Sequence, residues 1–274
     1  MPQAPWRASL ALEFERHGAR TVLASRRHDG PLVVQKPFHP EGDAACHVIV
    51  VHPPGGIAGG DELTLEVQAG EGTHALLTTP GAAKWYRSAG PSARQEIHID
   101  LAAGATVEWL PQESIVFDGA RAHLRWRADL APGARLLAWE ILCLGRTGSG
   151  ERFTNGVVAL EMRIARAGRS LWLERGALEP ASRALESAAG LGSHSVAGTF
   201  VAAGCAIGDE TLAACRALCP EEGEAAVTRM PELLVARYRG DSSEAARAHF
   251  ARLWSVLRPA VLGIAAVAPR IWAT

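Results

Sequence analysis

The sequence predicts a mainly β protein, an elongated antiparallel architecture of stacked strand and hairpin units with a small C-terminal α/β portion. Three observations lead to this fold class. Apolar and polar residues alternate with a period of two from about residue 60 to residue 175, a pattern typical of strands that bury one face. Glycine turns recur between these segments, and helical periodicity is found only towards the C-terminus.

The alternation is clearest in the segment 96–101, where Ile97 and Ile99 share one face and polar residues occupy the other. The same pattern recurs in 123–130 and in 158–164. One apolar and one wet face is typical of antiparallel sheets. These segments therefore predict half-buried, antiparallel strands.

Turns follow the strands at related positions: Ala69-Gly70, Ala103-Gly104, Pro132-Gly133 and Ala167-Gly168. Glycine supplies the positive φ that tight turns often need. The near-regular spacing favours a stack of similar units. An ordinary β sandwich with evenly spaced strands explains the spacing equally well.

The composition changes after Pro180, where Ala, Ser and Gly become frequent and two helical segments follow. This change suggests a β-rich body over residues 1–180 and a smaller α/β portion over 181–274, packed together as one continuous domain. One helix is predicted from Asp209 to Leu218. A longer helix is predicted to begin at a capping Asp241 and to stop at Pro259.

Composition excludes several classes of protein. The chain has 274 residues, 48% of them hydrophobic, and a formal net charge of -1, so nothing indicates a nucleic-acid partner. Its apolar runs are too short to cross a membrane. The N-terminus lacks the apolar stretch of a secretory signal, and the five cysteines are an odd number. We expect a cytoplasmic protein with reduced thiols.

A glycine-rich segment, 52–61, follows an apolar run and invites comparison with phosphate-binding loops. Asp61 and Glu62 stand where a P-loop needs Lys and Ser or Thr. No Gly-x-Gly-x-x-Gly opens a helix here either. The segment is interpreted as a tight loop in which two backbones approach closely.

Cys46, His47 and His52 form the densest group of metal-ligating residue types. In a regular strand the two histidines would point to opposite faces, so a shared metal ion would require a bulge. We expect a structural cysteine and a satisfied His47. Because neither Gly-x-Ser-x-Gly nor His-Glu-x-x-His occurs, a metal-dependent hydrolase built on these three residues is kept only as a minor alternative.

Carboxylates interrupt several apolar strands, and a buried charge is costly unless it is paired or wet. These residues are Glu108, Glu113, Glu140 and Glu174. Most of them are expected on the polar face of a strand. Glu140 is the exception, because apolar residues flank it on both sides.

Several ordered blocks run through the chain: Gly30-Pro31-Leu32 with Pro37-Phe38, Cys46-His47, His52-Pro53-Pro54-Gly55-Gly56, Gly59-Gly60-Asp61, Pro80-Gly81-Ala82, Lys84-Trp85-Tyr86-Arg87-Ser88, Glu108-Trp109-Leu110-Pro111-Gln112-Glu113, Trp139-Glu140, Cys143-Leu144-Gly145-Arg146, Gly150-Glu151 and Pro269-Arg270-Ile271-Trp272. In content and order they resemble the urease accessory proteins of the UreD family, called UreH in some lineages. The resemblance covers nearly the whole chain and departs from the family pattern at His39, Ala83 and Trp85.

The resemblance implies a mostly β accessory protein that is not an enzyme and that holds no tightly bound cofactor. It implies binding to UreF and, through UreF, to the GTPase UreG, with the assembly docked on apo-urease. In such proteins nickel is thought to move along a water-filled internal passage. Transferred to this sequence, the passage residues are Asp61, Glu140 and Glu174, with Lys84 and Glu113 as weaker neighbours.

Two alternatives stay open at this stage. The chain could be a purely structural scaffold that holds UreF against urease while nickel travels elsewhere, or it could be the hydrolase described above. Loose oxygen ligands along a wet interior would favour transit, since carboxylates suit hard cations and tight Cys and His chelation would stall nickel.

Overall fold

A computed structural model of the protein describes residues 6–273. The strands are β1 (Arg7–His17), β2 (Arg20–Asp29), β3 (Val33–Val34), β4 (Cys46–Val51), β5 (Glu62–Ala69), β6 (His74–Thr78), β7 (Ala83–Trp85), β8 (Ala93–Leu101), β9 (Thr106–Trp109), β10 (Ser114–Val116), β11 (Arg121–Leu130), β12 (Arg135–Leu144), β13 (Val157–Arg166), β14 (Arg169–Leu178), β15 (Val196–Ala203), β16 (Glu224–Met230) and β17 (Leu233–Gly240). The helices are α1 (Arg183–Glu186), α2 (Asp209–Ala217) and α3 (Ser243–Leu262), with 3₁₀ turns at Thr147–Ser149 and Arg270–Ala273.

The strands form two sheets that bury a common apolar core. The first sheet has the order β14-β13-β11-β8-β5-β1-β2. The second sheet has the order β16-β17-β15-β12-β9-β6-β4-β3, with β10 and β7 joined beside β12. Strand makes up 48% of the structure and helix 15%, which confirms the mainly β prediction and its stacked strand units.

The prediction that the sheets are antiparallel is wrong for most of the body. β5, β8, β11 and β13 pair in parallel in the first sheet, and β4, β6, β9 and β12 pair in parallel in the second. The reason lies in the predicted turns, three of which carry the chain from one sheet to the other, so that equivalent strands of successive units run the same way. The fourth predicted turn, Ala167-Gly168, forms the antiparallel hairpin β13-β14, and the hairpin β1-β2 at the other end of the first sheet is also antiparallel. Alternation reports which face is buried and carries no information on strand direction.

The turns themselves stack on one another. The Gly72 amide donates to the Ala103 carbonyl at 3.0 Å, and the Gly104 amide donates to the Pro132 carbonyl at 3.2 Å. Gly72 and Gly104 both have positive φ, which explains the need for glycine at these positions. The repeated turn spacing therefore reflects a real structural repeat.

Helix α3 covers the face of the second sheet that points away from the first. Its buried residues, including Phe250, Leu253 and Trp254, pack against a second apolar cluster from β12, β15 and β17. The predicted start and stop of this helix were both wrong. Ser242 is the N-cap, and the helix continues through Pro259, which lies in the last turn, before Gly263 ends it in the left-handed conformation.

The chain after residue 181 extends the second sheet. β15 pairs with β12 antiparallel, and β17 pairs with β15, so that body strands and later strands share one hydrogen-bonded sheet. The division at residue 180 stays a prediction. Of the described helices, none is long and apolar enough to cross a membrane.

Candidate functional site

Two of the cavities that the described residues form lie between the sheets. The larger has a volume of about 910 Å³ and is lined by β14 and β16, at the edges of the two sheets, and by residues 187–191. The smaller has a volume of about 230 Å³ and is lined by Gly55 and Gly56 of the glycine-rich loop and by the segment 79–84. Both are large enough to hold several water molecules.

Glu140 borders both cavities. Its neighbours at alternate positions on β12, Ala138 and Leu142, belong to the core between the sheets. Glu140 therefore points into the interior, as its position in an apolar run suggested, and not to the polar face of a strand. Glu140 is not fully buried, because part of its surface faces the two cavities. Protein atoms surround its carboxylate on the other sides.

A row of polar side chains crosses the second sheet from Glu140 towards the sheet edge. Glu140 is paired with Thr199 on β15, and Thr199 is paired with Arg237 on β17. Side chains at directly opposite positions lie roughly 4.5–5.5 Å apart at Cβ. Strand register thus places a carboxylate, a hydroxyl and a guanidinium side by side in the wall of the larger cavity.

Glu174 reaches the end of this row from β14 of the first sheet. Arg237 Nη1 donates to Glu174 Oε1 at 2.5 Å and to Thr199 Oγ1 at 2.7 Å. The second oxygen, Glu174 Oε2, is buried and has no hydrogen-bond partner among the described residues. The two sheets are therefore bridged by an ion pair within the cavity wall.

The charge state of Glu140 is unusual. Burial raises the pKa of its carboxyl from 4.5 to about 7, and the Ser114 hydroxyl, which donates to Oε1 at 3.3 Å, opposes this rise. Close to neutral pH the side chain is divided between its acid and carboxylate forms. Such a group can release its proton when a cation binds and take it up again when the cation leaves.

The other sequence-predicted residues lie outside this row. Asp61 closes its own loop by accepting from the Ala58 amide at 2.8 Å and the Trp6 amide at 3.2 Å. Lys84 is exposed and lines the smaller cavity. Glu113 is half-buried and is not among the described residues that line either cavity. The structure thus brings Glu140 and Glu174 together at the larger cavity and Glu140 and Lys84 together at the smaller one, whereas Asp61 and Glu113 line neither.

Sequence reasoning missed Ser114, Thr199 and Arg237. For Arg237 a signal was present, because a charged residue interrupts the apolar run of β17 just as Glu140 interrupts that of β12. Ser114 and Thr199 carried no such signal, since small hydroxyl residues are common in strands. Only the register of the sheet places them beside the two charges.

Cys46, His47 and His52 do not form a joint site. Cys46 is buried, and desolvation raises the pKa of its thiol to about 11, which disfavours the thiolate that binds metals. His47 Nε2 lies 2.7 Å from Glu41 Oε1, but the buried Nδ1 has no hydrogen-bond partner among the described residues, so the predicted satisfaction of His47 holds for one ring nitrogen only. Within residues 6–273 no three His, Cys, Asp or Glu side chains are grouped so as to hold a metal ion.

A second buried carboxylate, Glu108, lies on the helix-covered face of the second sheet. It accepts from Trp254 Nε1 at 2.6 Å and Arg258 Nε at 3.1 Å, and its Oε1 lies 2.7 Å from His74 Nε2. Burial acts to raise the pKa of Glu108, but the hydrogen bond and charge of His74 and the charge of Arg258 outweigh it, so the pKa is lowered. Arg258 also binds Glu41. This network ties α3 to the sheet.

These features define a class: a two-sheet β protein with acid-bearing cavities in its interior. Comparison with known proteins narrows the class. The family described as UreD urease accessory protein matches residues 7–273. The urease accessory protein UreD of Azoarcus sp. (strain BH72) is 53% identical over 272 residues, which cover 99% of this chain and 95% of the relative.

Two further relatives carry the same name. UreD of Dechloromonas aromatica (strain RCB) is 50% identical over 276 residues, covering 98% of this chain and 95% of the relative. UreD of Pseudomonas aeruginosa (strain UCBPP-PA14) is 50% identical over 270 residues, with the same shares covered. The chain therefore belongs to the UreD family of urease accessory proteins, as its sequence blocks suggested.

Proposed function

We propose that this urease accessory protein serves the incorporation of nickel into urease both as a scaffold and as a conduit for the ion. The observation that carries the proposal is the position of Glu140, which borders both cavities and begins a polar row that leads to Glu174. An ion that entered through one cavity and left through the other would therefore pass the Glu140 carboxylate. A structural core has no use for such an arrangement, since unpaired buried acids cost stability.

The chemistry of the row suits transit and not storage. Carboxylate and hydroxyl oxygens are hard ligands that bind nickel less firmly than imidazole or thiolate. Glu140, whose pKa lies at about 7, can lose its proton when a cation approaches and regain it afterwards. Nickel is therefore a cargo in this proposal, and the chain itself is not a catalyst and has no resident cofactor.

The proposed setting is a complex with UreF and, through UreF, with UreG, assembled on apo-urease in the cytoplasm. The family resemblance supports these partners. The cysteines support a reducing compartment, because all five are free thiols. Cavities that reach both the glycine-rich loop and the β14–β16 edge would give an ion one entrance and one exit.

The test is co-expression of urease with its accessory proteins and either the wild-type chain or a variant. E140Q keeps the shape of the side chain and removes its charge, so we expect less nickel per urease and lower activity, with UreF still recovered in a pull-down. A226W should act in the same way by filling the edge of the larger cavity, where Ala226 is exposed.

T228W provides the matched control, because Thr228 is exposed and lies on the same strand and face as Ala226 but does not line the cavity. It should leave nickel incorporation unchanged. Full activation of urease by both E140Q and A226W would remove the conduit and leave a scaffold. Loss of UreF binding in these variants would instead indicate a docking defect.

A further inference from the structure

Arg237 places a positive charge in the wall of the proposed passage, against one of the carboxylates that a cation would use. We propose that Arg237 is a displaceable counter-ion for Glu174, which a divalent cation must replace in order to bind there. The inference rests on the proposed function, because it assigns a regulatory residue to the same passage. Its consequence is that metal ions stay only briefly at Glu174.

The geometry of the ion pair shows how Arg237 occupies the site. Its Nη1 lies 2.5 Å from Glu174 Oε1 and 2.7 Å from Thr199 Oγ1. Carboxylate and hydroxyl oxygens can bind a divalent cation, although they hold nickel less firmly than imidazole or thiolate does. One nitrogen thus takes up both oxygen ligands, in the position that a bound ion would fill.

The pair is held loosely enough to be displaced. The contact uses one nitrogen and one carboxylate oxygen, whereas the strong arginine–carboxylate pair is a two-pronged fork. The side chains are 43% and 28% exposed, and they face the larger cavity. Ion pairs with this access to solvent contribute little to stability.

The surroundings offer a place for each partner after separation. Glu174 Oε2 is buried and lacks a hydrogen-bond partner among the described residues, so that a cation could use both carboxylate oxygens. The Arg237 guanidinium already lies 5.5 Å from the ring centroid of Trp172, a distance at which aromatic rings attract cations. A released Arg237 could remain on that ring.

Arg237 would also limit how tightly a cation is held. A guanidinium next to a divalent ion repels it, and arginine does not lose its charge in proteins. Glu140, which is two positions away in the same row, then offers the next carboxylate. The row combines two acids with one built-in competitor, an arrangement suited to passing an ion onward.

The experiment is isothermal titration of the purified full-length chain with nickel chloride. We expect R237M to bind nickel about five- to tenfold more tightly than wild type, because no internal cation competes. The gain should disappear in the double variant R237M/E174Q. Unchanged affinity in R237M, or a gain that persists in the double variant, would overturn the inference.

R229M is the matched control. Arg229 is also a strand arginine paired with a carboxylate, Asp209 at 2.6 Å, and its side chain is 36% exposed, but it does not line either cavity. Its nickel affinity should equal that of wild type. If R237M does not fold, R237Q removes the charge while keeping a donor for Thr199, and the same two outcomes decide.

Failure of this inference can be told apart from failure of the conduit. Titration needs neither urease nor UreF, whereas the conduit is tested by the E140Q co-expression experiment. Tighter binding by R237M together with full activation by both E140Q and A226W would keep the counter-ion and remove the conduit. Unchanged binding by R237M with impaired activation by E140Q would remove the counter-ion and keep the conduit.

Discussion

The two faces of the second sheet differ in whether charged side chains compensate a buried glutamate. On the helix-covered face, Glu108 is completely buried and is bonded to Arg258, Trp254 and His74. On the face between the sheets, Glu140 meets the Ser114 hydroxyl and borders two cavities. The same residue type in neighbouring strands thus becomes a structural staple in one place and a candidate ion ligand in the other.

The difference lies in charge compensation. Burial acts to raise the pKa of both carboxyls, but nearby cations overcome it at Glu108, whereas one neutral hydroxyl cannot overcome it at Glu140. A compensated carboxylate stays ionised and resists exchange. An uncompensated one is available to protons and metal ions, so the comparison separates stability from proposed function.

The largest effect is expected from breaking the compensated side. R258M removes the cation that Glu41 and Glu108 share and leaves the buried Glu108 and the partly buried Glu41 without it. We expect the free energy of unfolding to fall by about 3–5 kcal/mol. Urea denaturation followed by tryptophan fluorescence measures this change.

R252M on the same helix is the control for that experiment. Arg252 binds the Cys219 carbonyl at 2.8 Å near the surface, and its loss should cost less than about 1 kcal/mol. If R258M were no more destabilising than R252M, the network around Glu108 would not be the staple described above.

At Glu140, where no cation among the described residues compensates the charge, we expect the opposite effect: removing the charge should raise the free energy of unfolding. Because the pKa of Glu140 is about 7 in the folded chain and 4.5 ordinarily, the folded state holds a proton that the unfolded state has lost between these values. The contribution of Glu140 to the free energy of unfolding therefore falls as the pH rises from about 5 to about 7 and then levels off. E140Q should be more stable than wild type by about 1–3 kcal/mol at pH 8 and about equal to it near pH 4.

Denaturation curves of both proteins at the two pH values measure this difference. E108Q is the natural counterpart, because it should destabilise the chain at pH 8 by leaving Arg258 with an incomplete set of acceptors. Equal stability of E140Q and wild type at pH 8 would contradict the enclosed, uncompensated carboxylate.

The smallest effect is expected from weakening only α3, the helix that covers one face of the second sheet. Ser242 Oγ accepts from the Ala245 amide at 3.1 Å and caps α3, so S242A should cost about 1 kcal/mol. S243A, one residue later in the helix, should cost less. Nickel titration of S242A should match wild type, since α3 lies on the far side of the sheet from the cavities. A changed nickel affinity would mean that the two faces are coupled.

Much of the fold could be predicted from the sequence. Alternation located the strands, and the glycine turns located the structural repeat, because both depend on local backbone geometry. The direction of the strands was mispredicted, since an arch between two sheets and a hairpin within one sheet have the same local pattern. The cap of α3 was misplaced by one residue because Asp241 instead binds His194 and Ser195.

The candidate site divides in the same manner. Glu108, Glu140 and Glu174 all stood out in the sequence as acids within apolar strands, and the family resemblance made Glu140 and Glu174 candidates for the passage. No local feature of the sequence distinguished Glu108, which ties α3 to the sheet, from Glu140, which borders the cavities. That distinction depends on Arg258, which is 150 residues from Glu108, and on Thr199 and Arg237, which are brought to Glu140 by strand register.

The sequence by itself determined the secondary structure, the repeat and the family, because residue periodicity and ordered blocks are properties of the chain alone. Only the tertiary structure decided which buried acids are neutralised and which face a cavity. The electrostatic free energy of a buried charge depends on the partners within a few ångströms, and here those partners come from distant strands and helices.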